Sequence, residues 1–369
     1  MKTNNNITSF KQLLLTVVAL LVMAGCSSDS WEGTPDALTH EVEPVPIRLS
    51  VKGNVVITSD AAMAQIKPHV AGEVTNTLVD GQEVGIFVID AATLVDMQSG
   101  TNFTSDYSKA YTNVKGRITV DAESGDTQIT ALDADEKPIT LYYPKVKETT
   151  VYVLVYAPYQ ADITLEQFRN GFDFTVQTSQ ESAGYQQSDL LVGWNKVSTT
   201  NFFREQSTTS LSLRHALSRI GLDLNYGGDG GYKHIEGALS GAQASASLCN
   251  VYTTATVNLY STILTAENSS SSSTNAEVVI DGVRDAAASI SMGVKNFFTD
   301  IAFNSLENTL YCIVPPQEVN GEGTEQSMKA KFSVVVGDGV NSSDRTLMNL
   351  TFRGGKSYNF TFPWTDPAN

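Results

Sequence analysis

The feature that most constrains the fold is an alternation of apolar and polar residues that recurs from about Ile47 onward. The alternating runs are rich in Val, Ile, Tyr, Phe and Thr, and a period of two is typical of strands that bury one face. The clearest runs are Val84–Ile89, Ile139–Tyr143, Val151–Tyr156, Phe172–Val176, Leu211–Leu213, Ile220–Leu224, Thr253–Leu259, Glu277–Ile280, Leu310–Val314, Phe332–Val336 and Leu347–Phe352. No sustained alternation of strands with helical segments is present, which argues against a parallel α/β sheet. The sequence therefore predicts an all-β protein.

Residues that favour tight turns separate several of these runs. Asp-Gly pairs accept the positive φ angles of hairpin turns. The pairs in question are Asp80-Gly81, Asp281-Gly282 and Asp338-Gly339. The glycine-rich stretch Gly227–Gly231 lacks the Lys-Ser or Lys-Thr that would hold phosphate and magnesium, so we interpret it as a hairpin tip rather than a nucleotide site.

If residues 1–25 are removed as a signal peptide, the remaining 344 residues exceed the usual size of one hydrophobic core, so two domains are expected. The apolar pattern breaks between Val197 and Ser207, which places the domains at residues 46–200 and 201–369. Each is predicted to be an antiparallel β-sandwich with one or two short helices in its loops. The candidate helices are Leu165–Asn170 and Asp285–Ile290.

The N-terminal segment has the composition of a targeting sequence. Lys2 and Lys11 precede the apolar run Leu13–Met23, which is too short to span a bilayer. The run ends in Met23-Ala24-Gly25-Cys26, which resembles the bacterial lipobox. Residues 1–25 are therefore predicted to be a lipoprotein signal peptide, residues 26–45 an acidic tether, and Cys26 the site of lipidation, including palmitate; an ordinary secretory signal followed by an incidental cysteine is the alternative.

Charge and cysteine content narrow the function classes. The formal net charge of −16, without a basic tract, argues against a nucleic-acid partner or binding to anionic lipid headgroups. Beyond Cys26, the cysteines are Cys249 and Cys312, and Cys312 alternates with apolar neighbours on a predicted strand. These two residues either form a disulfide, as an exported protein permits, or remain buried free thiols.

The search for catalytic and metal-binding motifs predicts that the chain is not an enzyme and has no cofactor or metal. Zinc, Walker and nucleophile-elbow motifs are all missing. The histidines are dispersed, without a second ligand at metal-binding spacing, so we interpret them as structural residues. They are His40, His69, His215 and His234. The acidic cluster Asp133, Asp135 and Glu136 could hold calcium or serve a glycosidase, although surface turns use the same residues more often. Trp31, Trp194 and Trp364 could stack on sugars, although tryptophan on a β-sandwich more often lies in a core or interface.

Short blocks in a fixed order resemble the fimbrillin family of Bacteroidales pili. In the first half these blocks are Asp80–Phe87, Tyr111–Asn113, Tyr142–Pro144 and Val153–Tyr159. In the second half they are Ser188–Leu191, Leu213–Ile220, Tyr311–Gln317 and Gly355–Phe360. Each block alone has low specificity, but their order after a lipobox is specific, and the resemblance covers nearly the whole mature chain.

The resemblance implies a subunit of a type V fimbria, or pilus, with two transthyretin-like β-sandwiches. Such subunits are exported as lipoproteins and reach the outer membrane, and many lose an N-terminal segment to a trypsin-like protease. The vacated groove then accepts a strand from the next subunit. The implied partners are other fimbrial subunits, the outer membrane through lipid on Cys26, and host or bacterial surface ligands in cell adhesion.

Two segments match the parts that such assembly needs. Pro46–Val51 is a candidate first strand, and its Arg48 is either the site of cleavage before Leu49 or the outward residue of an uncut strand. At the other end, Arg345–Phe352 and Lys356–Trp364 are predicted to form a terminal hairpin. The candidate donor-strand residues are Tyr358, Phe360 and Phe362, which alternate with Asn359 and Thr361. That strand either enters a neighbouring subunit or completes its own sandwich.

Three classes of function are considered for this sequence. A fimbrial subunit requires a displaceable first strand and a donor segment, and the sequence offers candidates for both. The alternative is a surface lipoprotein that does not polymerise and binds glycans or host proteins, which requires a preshaped aromatic cleft. An extracellular hydrolase requires convergent carboxylates and is the least favoured.

Overall fold

The computed structural model describes most of the region that follows the predicted tether. The described residues are 45–51, 55–59, 74–76, 80–99, 111–121, 126–143, 150–180, 183–198, 208–226, 244–268, 278–294, 309–319, 329–336, 341–347 and 350–364. Over these ranges the chain is mostly β-strand with little helix, so the predicted all-β class is confirmed.

The strands are β1 (Leu49–Val51), β2 (Val55–Ser59), β3 (Val74–Asn76), β4 (Glu83–Asp90), β5 (Tyr111–Val120), β6 (Thr127–Leu132), β7 (Pro138–Ile139), β8 (Thr150–Ala157), β9 (Phe172–Thr175), β10 (Leu191–Ser198), β11 (Thr209–Leu211), β12 (Arg214–His215), β13 (Ser218–Tyr226), β14 (Ala244–Asn258), β15 (Val279–Ser291), β16 (Gly293–Val294), β17 (Thr309–Val314), β18 (Gln317–Val319), β19 (Lys331–Val336), β20 (Asn341–Thr346), β21 (Leu350–Phe352) and β22 (Lys356–Trp364). The helices are α1 (Ala91–Ser99), α2 (Leu165–Asn170), α3 (Ala183–Ser188) and α4 (Leu259–Asn268).

The largest sheet has the strand order β11-β1-β6-β5-β4-β8-β10-β12, with β7 paired to β6. Its neighbours are antiparallel except for β1 and β11, which run parallel. The two edge strands β11 and β12 are separated in the chain only by Ser212 and Leu213. The Asn195 side-chain amide of β10 donates to the Ser210 carbonyl of β11 at 3.0 Å. The sheet thus brings its two edges together and closes around an interior.

Strands β4 and β8 are buried on both faces. On β4, Ile86 points into the closed interior, while its neighbour Phe87 belongs to a second core outside the sheet. On β8, Val153 and Leu154 divide in the same way, and all four side chains are almost fully buried. Because successive side chains on a strand point to opposite faces, one continuous apolar run supplies both cores.

Helix α2 packs against the outer face of this sheet. Helix α2 coincides with the predicted Leu165–Asn170 and begins with a capping box, in which Thr164 accepts from the Gln167 backbone N–H at 3.2 Å and the Gln167 side chain accepts from the Thr164 N–H at 2.9 Å. Phe168 on this helix packs against Phe87 with ring centroids 4.9 Å apart. The helix end therefore fixes where an aromatic side chain enters the second core.

The other strands form three further sheets. One has the order β16-β17-β13-β22-β2-β3, a second has β15-β14-β19-β20 with β9 paired to β14, and the third is the pair β18-β21. Several strands pair across the predicted domain boundary at residue 200. Strand β9 joins β14, β2 joins β22, and β11 and β12 join β1 and β10. The division at residue 200 and the two transthyretin-like sandwiches remain predictions.

The predicted helix Asp285–Ile290 is wrong, because these residues lie in β15 and pair with β14, for example Ile290 with Leu248. The alanines favour a helix locally, but Asp285 has a φ angle of 60° and Ile290 is fully buried in the core. Tertiary pairing overrides local propensity here. Asp281-Gly282 is also not a hairpin turn, since it lies within β15 beside an irregularity of the pairing.

Other turn and strand predictions have different outcomes. Asp80-Gly81 is a turn, with Gly81 at a φ angle of 83° and its N–H bonded to the Ile118 carbonyl at 2.8 Å. The run Ile139–Tyr143 forms only the end of β7 and an isolated bridge from Tyr142 to Pro46. Asp338-Gly339 and Gly227–Gly231 lie outside the described residues.

Cys249 and Cys312 are free, buried thiols rather than a disulfide. Cys312 lies on β17 and is fully buried, as its apolar alternation predicted. Burial raises the pKa of both thiols, which keeps them protonated near neutral pH. They act as small apolar residues of the core.

Tyr156 makes Gly85 essential to the outer face of β4. A Cβ atom at Gly85 would lie 2.0 Å from a ring carbon of Tyr156. The ring cannot retreat easily, because its hydroxyl donates to Asn113 Oδ1 at 2.7 Å and accepts from the Gln160 N–H at 3.2 Å. Only glycine leaves room for this buried network.

We therefore expect Gly85→Ala to lower the free energy of unfolding by about 1–3 kcal/mol, since the extra methyl overpacks a fixed core. The matched control is Gly282→Ala, because a Cβ at Gly282 meets no atom within 4 Å. That change should stay within about 0.5 kcal/mol of the wild type. Urea unfolding followed by circular dichroism measures both. Equal midpoints for the two variants would contradict the packing role assigned to Gly85.

Candidate assembly site

The first described segment, residues 45–51, is inserted between two other strands. Its β1 pairs antiparallel with β6, where Leu49 lies opposite Ile129, and parallel with β11, where Leu49 lies opposite Thr209. Before β1, the Ile47 N–H donates to the Leu141 carbonyl at 2.8 Å and the Tyr143 N–H donates to the Val45 carbonyl at 3.0 Å. Backbone hydrogen bonds therefore hold this segment on both sides.

Side chains of this segment alternate as the sequence predicted. Ile47, Leu49 and Val51 are 9%, 5% and 4% exposed and point into the closed interior, whereas Arg48 is exposed. Burying an aliphatic side chain stabilises by roughly 1.5–3 kcal/mol, so the three together oppose release of the segment by several kcal/mol. The segment is removable only at a substantial cost in free energy.

Arg48 is accessible as a side chain, but its peptide bond lies inside the paired region. The Arg48 carbonyl accepts from the Thr209 N–H at 2.7 Å. A protease binds its substrate as a free extended segment, so cleavage before Leu49 requires local opening of the pairing with β6 and β11. Whether Arg48 is cut stays a prediction.

A polar groove of about 1070 Å³ runs along the outer face of β1 and β6. Arg48, Ser50, Gln128 and Ser210 line it, together with Tyr142. Tyr142 is 40% exposed. The lining of the groove thus includes hydroxyl, amide and charged groups, with Tyr142 as its one aromatic residue among those described.

The predicted terminal hairpin is wrong. Strand β21 pairs with β18, and β22 pairs in parallel with β13 and β2. Gly355, at a φ angle of 67°, lies in the turn between β21 and β22, and its N–H donates to the Leu217 carbonyl at 2.9 Å. This turn anchors the chain beside β13 instead of returning it along β21.

Aromatic side chains hold β22 in this place. Tyr358 and Phe360 are 4% and 6% exposed, and Phe352 contacts both, with ring centroids 5.1 and 6.4 Å away. Phe332 lies 5.3 Å from Phe360, centroid to centroid. Phe362 occupies the next position of the alternation, in register with Leu224 of β13. Within one chain, β22 thus completes its own sheet, and its role as a donor strand stays a prediction.

The remaining sequence candidates do not converge on a reactive centre. Cys26 lies outside the described residues, as do Trp31, His40, His69 and His234. Within the described ranges, no group of three or more His, Cys, Asp or Glu residues could hold a metal ion. Trp194 is buried in the second core, beside Tyr152, and the side chain of Trp364 is not described.

The acidic turn at residues 133–136 is an ion-pair site. Glu136 contacts Lys115 and Arg117, each at 2.5 Å. Hydrogen bonds from Lys115 and Arg117 lower the pKa of the Glu136 carboxyl. Asp133 Oδ1 accepts from the backbone N–H groups of Asp135 and Lys137, at 2.9 and 2.8 Å. These carboxylates stabilise a surface turn.

His215 shows a contact that sequence spacing could not reveal. Its Nδ1 lies 2.5 Å from Asp189 Oδ1, and both residues are buried. The pair joins residues 26 positions apart at the end of the closed sheet, where His215 lies opposite Leu191. Its geometry agrees with a structural histidine.

Comparison with known proteins identifies the class. A family model described as fimbrillin-like matches residues 72–368, so the chain belongs to the fimbrillin-like family. Fimbrillins are structural proteins and not enzymes, which agrees with the lack of catalytic motifs in the sequence. No curated protein matches the chain.

Solved structures with a similar chain path include three from Bacteroidales. A candidate cell adhesion protein from Bacteroides uniformis is 14% identical with a TM-score of 0.48, covering 86% of this chain and 93% of that one. One from Bacteroides ovatus is 15% identical with a TM-score of 0.47, covering 86% and 93%. The C-terminally truncated tip fimbrial protein Mfa3 from Porphyromonas gingivalis is 9% identical with a TM-score of 0.37, covering 87% of this chain and 96% of that one.

Among the described residues, no helix is long and apolar enough to cross a membrane.

Weakening the packing of β1 against its neighbouring strands should expose the peptide bond after Arg48. Leu49→Ala removes apolar contacts from the closed interior, so the segment should open more often and trypsin should produce the chain that begins at residue 49 at least several-fold faster. Ser50→Ala, on the half-exposed side of the same strand, is the control and should cleave at the wild-type rate. Mass spectrometry of timed digests gives both rates. Equal rates for wild type and Leu49→Ala would mean that β1 does not protect this bond.

Proposed function

We propose that the protein is a structural or accessory subunit of a cell-surface fimbria that supports adhesion. It is exported as a lipoprotein, held at the outer membrane by lipid on Cys26, and assembled by strand exchange between subunits. The proposal rests on one observation in a chain of the fimbrillin-like family: the segment 45–51 contains β1, which pairs with β6 on one side and with β11 on the other.

Removal of the residues up to Arg48 would create a template for another strand. It would leave the Leu141 carbonyl and the N–H groups of Tyr143 and Thr209 without their present partners. It would also empty the place of Ile47 in the closed interior. An unpaired strand edge beside an apolar pocket favours addition of a strand from another chain, with main-chain hydrogen bonds giving affinity and pockets giving register.

Strand β22 is the proposed donor. From Tyr358 onward it carries an aromatic residue at every second position, the pattern of a strand that buries one face. Because β22 already occupies a place between β13 and β2, donation requires that it leave its own sheet. The exchange would replace its contacts with β13 and β2 by contacts in the place that the residues up to Arg48 vacate in a neighbouring subunit.

The groove beside β1 favours a second candidate function. Its hydroxyl and amide groups and the exposed Tyr142 are the chemistry that binds glycans, so a surface lipoprotein that binds glycans or host proteins without polymerising is the alternative. The two functions differ in one observable, since only the first requires filaments.

Proteolytic maturation predicts that Arg48→Gln abolishes filament assembly while the folded protein still reaches the cell surface. Filament material from the wild type should begin at Leu49. Arg117→Gln is the matched control, because Arg117 is an exposed arginine on β5 and should assemble normally. In the same strains, labelled palmitate should enter wild type but not Cys26→Ala. Filaments of Arg48→Gln at wild-type yield, with an N-terminus at Cys26, would rule out cleavage at Arg48.

Deletion of Lys356–Asn369 separates the two roles of β22. Donation predicts a folded, protease-resistant monomer that no longer forms filaments, because the acceptor remains but the donor is lost. Completion of its own sheet predicts unfolding around β13, since Phe332 and Phe352 lose their aromatic partners. Circular dichroism and limited proteolysis distinguish these outcomes. A deleted protein that still polymerises normally would eliminate the donor role.

A further inference from the structure

The side of β22 opposite its aromatic residues carries a buried polar contact. Arg219 of β13 is only 2% exposed, and its Nε donates to the Ser357 hydroxyl of β22 at 3.0 Å. The guanidinium carbon lies 4.5 Å from the ring centroid of Tyr311 on β17. A cationic side chain is thus enclosed between three strands and pairs with a neutral hydroxyl.

The next residue on the same face of β13 is Gly221, which has no side chain and so leaves space beside β22. Gly221 lies in register with Asn359 of β22. A Cβ at Gly221 would be 2.3 Å from Asn359 Oδ1, so the Asn359 carboxamide fills space that any larger residue would take. The pair Arg219–Ser357 followed by Gly221–Asn359 forms what we call the polar seam.

The polar seam is costly for stability. Arg219 Nη2 and Asn359 Oδ1 are buried without a hydrogen-bond partner in the described parts of the chain. Unsatisfied buried polar groups destabilise a fold, and apolar residues of similar volume would avoid this penalty. Buried polar groups are known to be retained where they fix the register of two elements.

The apolar side of β22 cannot fix that register by itself. Its aromatic residues recur every second position at Tyr358, Phe360 and Phe362. If β22 slipped by two residues, Phe360 would replace Tyr358 opposite Ile220 and Phe362 would replace Phe360 opposite Leu222. An aromatic side chain would still fill each place, since a slip of two preserves the faces of a strand.

We propose that the polar seam is the register-selecting surface for β22, and that its partner is a strand with the pattern Ser-Tyr-Asn-Phe. In the two-residue slip, Arg219 would face Asn359 in place of the small Ser357, and Gly221 would face Thr361. The hydroxyl contact and the fit over Gly221 would both be lost. This partner is β22 of the same chain.

Engineered disulfides report the register directly in the full chain. In the observed register Asp223 lies opposite Thr361, and in the slipped register it would lie opposite Pro363. The two reporters are therefore Asp223→Cys with Thr361→Cys, and Asp223→Cys with Pro363→Cys. Each is made in the wild type, in the seam-free variant Arg219→Met with Ser357→Ala, and in the control Arg284→Met, which changes an exposed arginine of β15. Peptide mapping after oxidation distinguishes these links from any with Cys26, Cys249 or Cys312.

The wild type and the control should form the 223–361 link and almost none of the 223–363 link. In the seam-free variant the ratio of 223–363 to 223–361 should rise by roughly tenfold or more, as expected for loss of a charged hydrogen bond, with thermal stability retained. A seam-free variant that folds and keeps the wild-type ratio would overturn the proposal, and so would one that loses stability while its ratio stays fixed. The monomer reports these links whether or not filaments form, so failure of the fimbrial function leaves the test intact.

Discussion

The burial of β4 and β8 on both faces is the constraint on which the remaining structure depends. Each strand supplies alternate side chains to the closed interior and to the second core, as Ile86 and Phe87 do on β4. A strand that is apolar on both faces cannot lie at a solvent surface without a large loss of hydrophobic stabilisation. Sheet closure satisfies one face, and the helices with strands from the second half of the chain satisfy the other.

The two proposed mobile elements are held differently by this arrangement. Strand β1 is three residues long, and residues 45–51 as a whole add three buried aliphatic side chains to the closed interior, two from β1 and one from Ile47 before it. Strand β22 is nine residues long, registers with β13 over eight of them, and contributes aromatic side chains to the second core. Displacing the β1 segment therefore costs less than extracting β22. The proposed cleavage after Arg48 would act on the more weakly held of these two segments.

Sequence reasoning predicted the elements whose signal is local. Helix α2 has its capping box and the turn at Gly81 has its Asp-Gly pair, and both lie where they were expected. The errors came from contacts distant in sequence. Pairing with β14 makes Asp285–Ile290 a strand despite its alanines, and β22 joins β13 although a glycine turn connects it to β21.

Among the candidate site residues, too, local sequence signals predicted some features, whereas contacts between residues distant in sequence were missed. Alternation in the sequence was enough to predict that Leu49 points inward and Arg48 outward, and that Tyr358 and Phe360 are buried. It could not reveal that Arg219 and Gly221 face Ser357 and Asn359, because register between parallel strands is set by residues about 138 positions apart, as in Arg219 and Ser357. No local pattern encodes such a contact.

Electron microscopy of the bacterial surface with gold-labelled antibody against the folded chain tests the central claim most directly. A fimbrial subunit predicts label on filaments, along the shaft, at the tip or at the base, and loss of that label in a deletion strain. Label confined to the membrane surface, on cells that carry no filaments containing this chain, would contradict the account and favour a surface protein that does not polymerise.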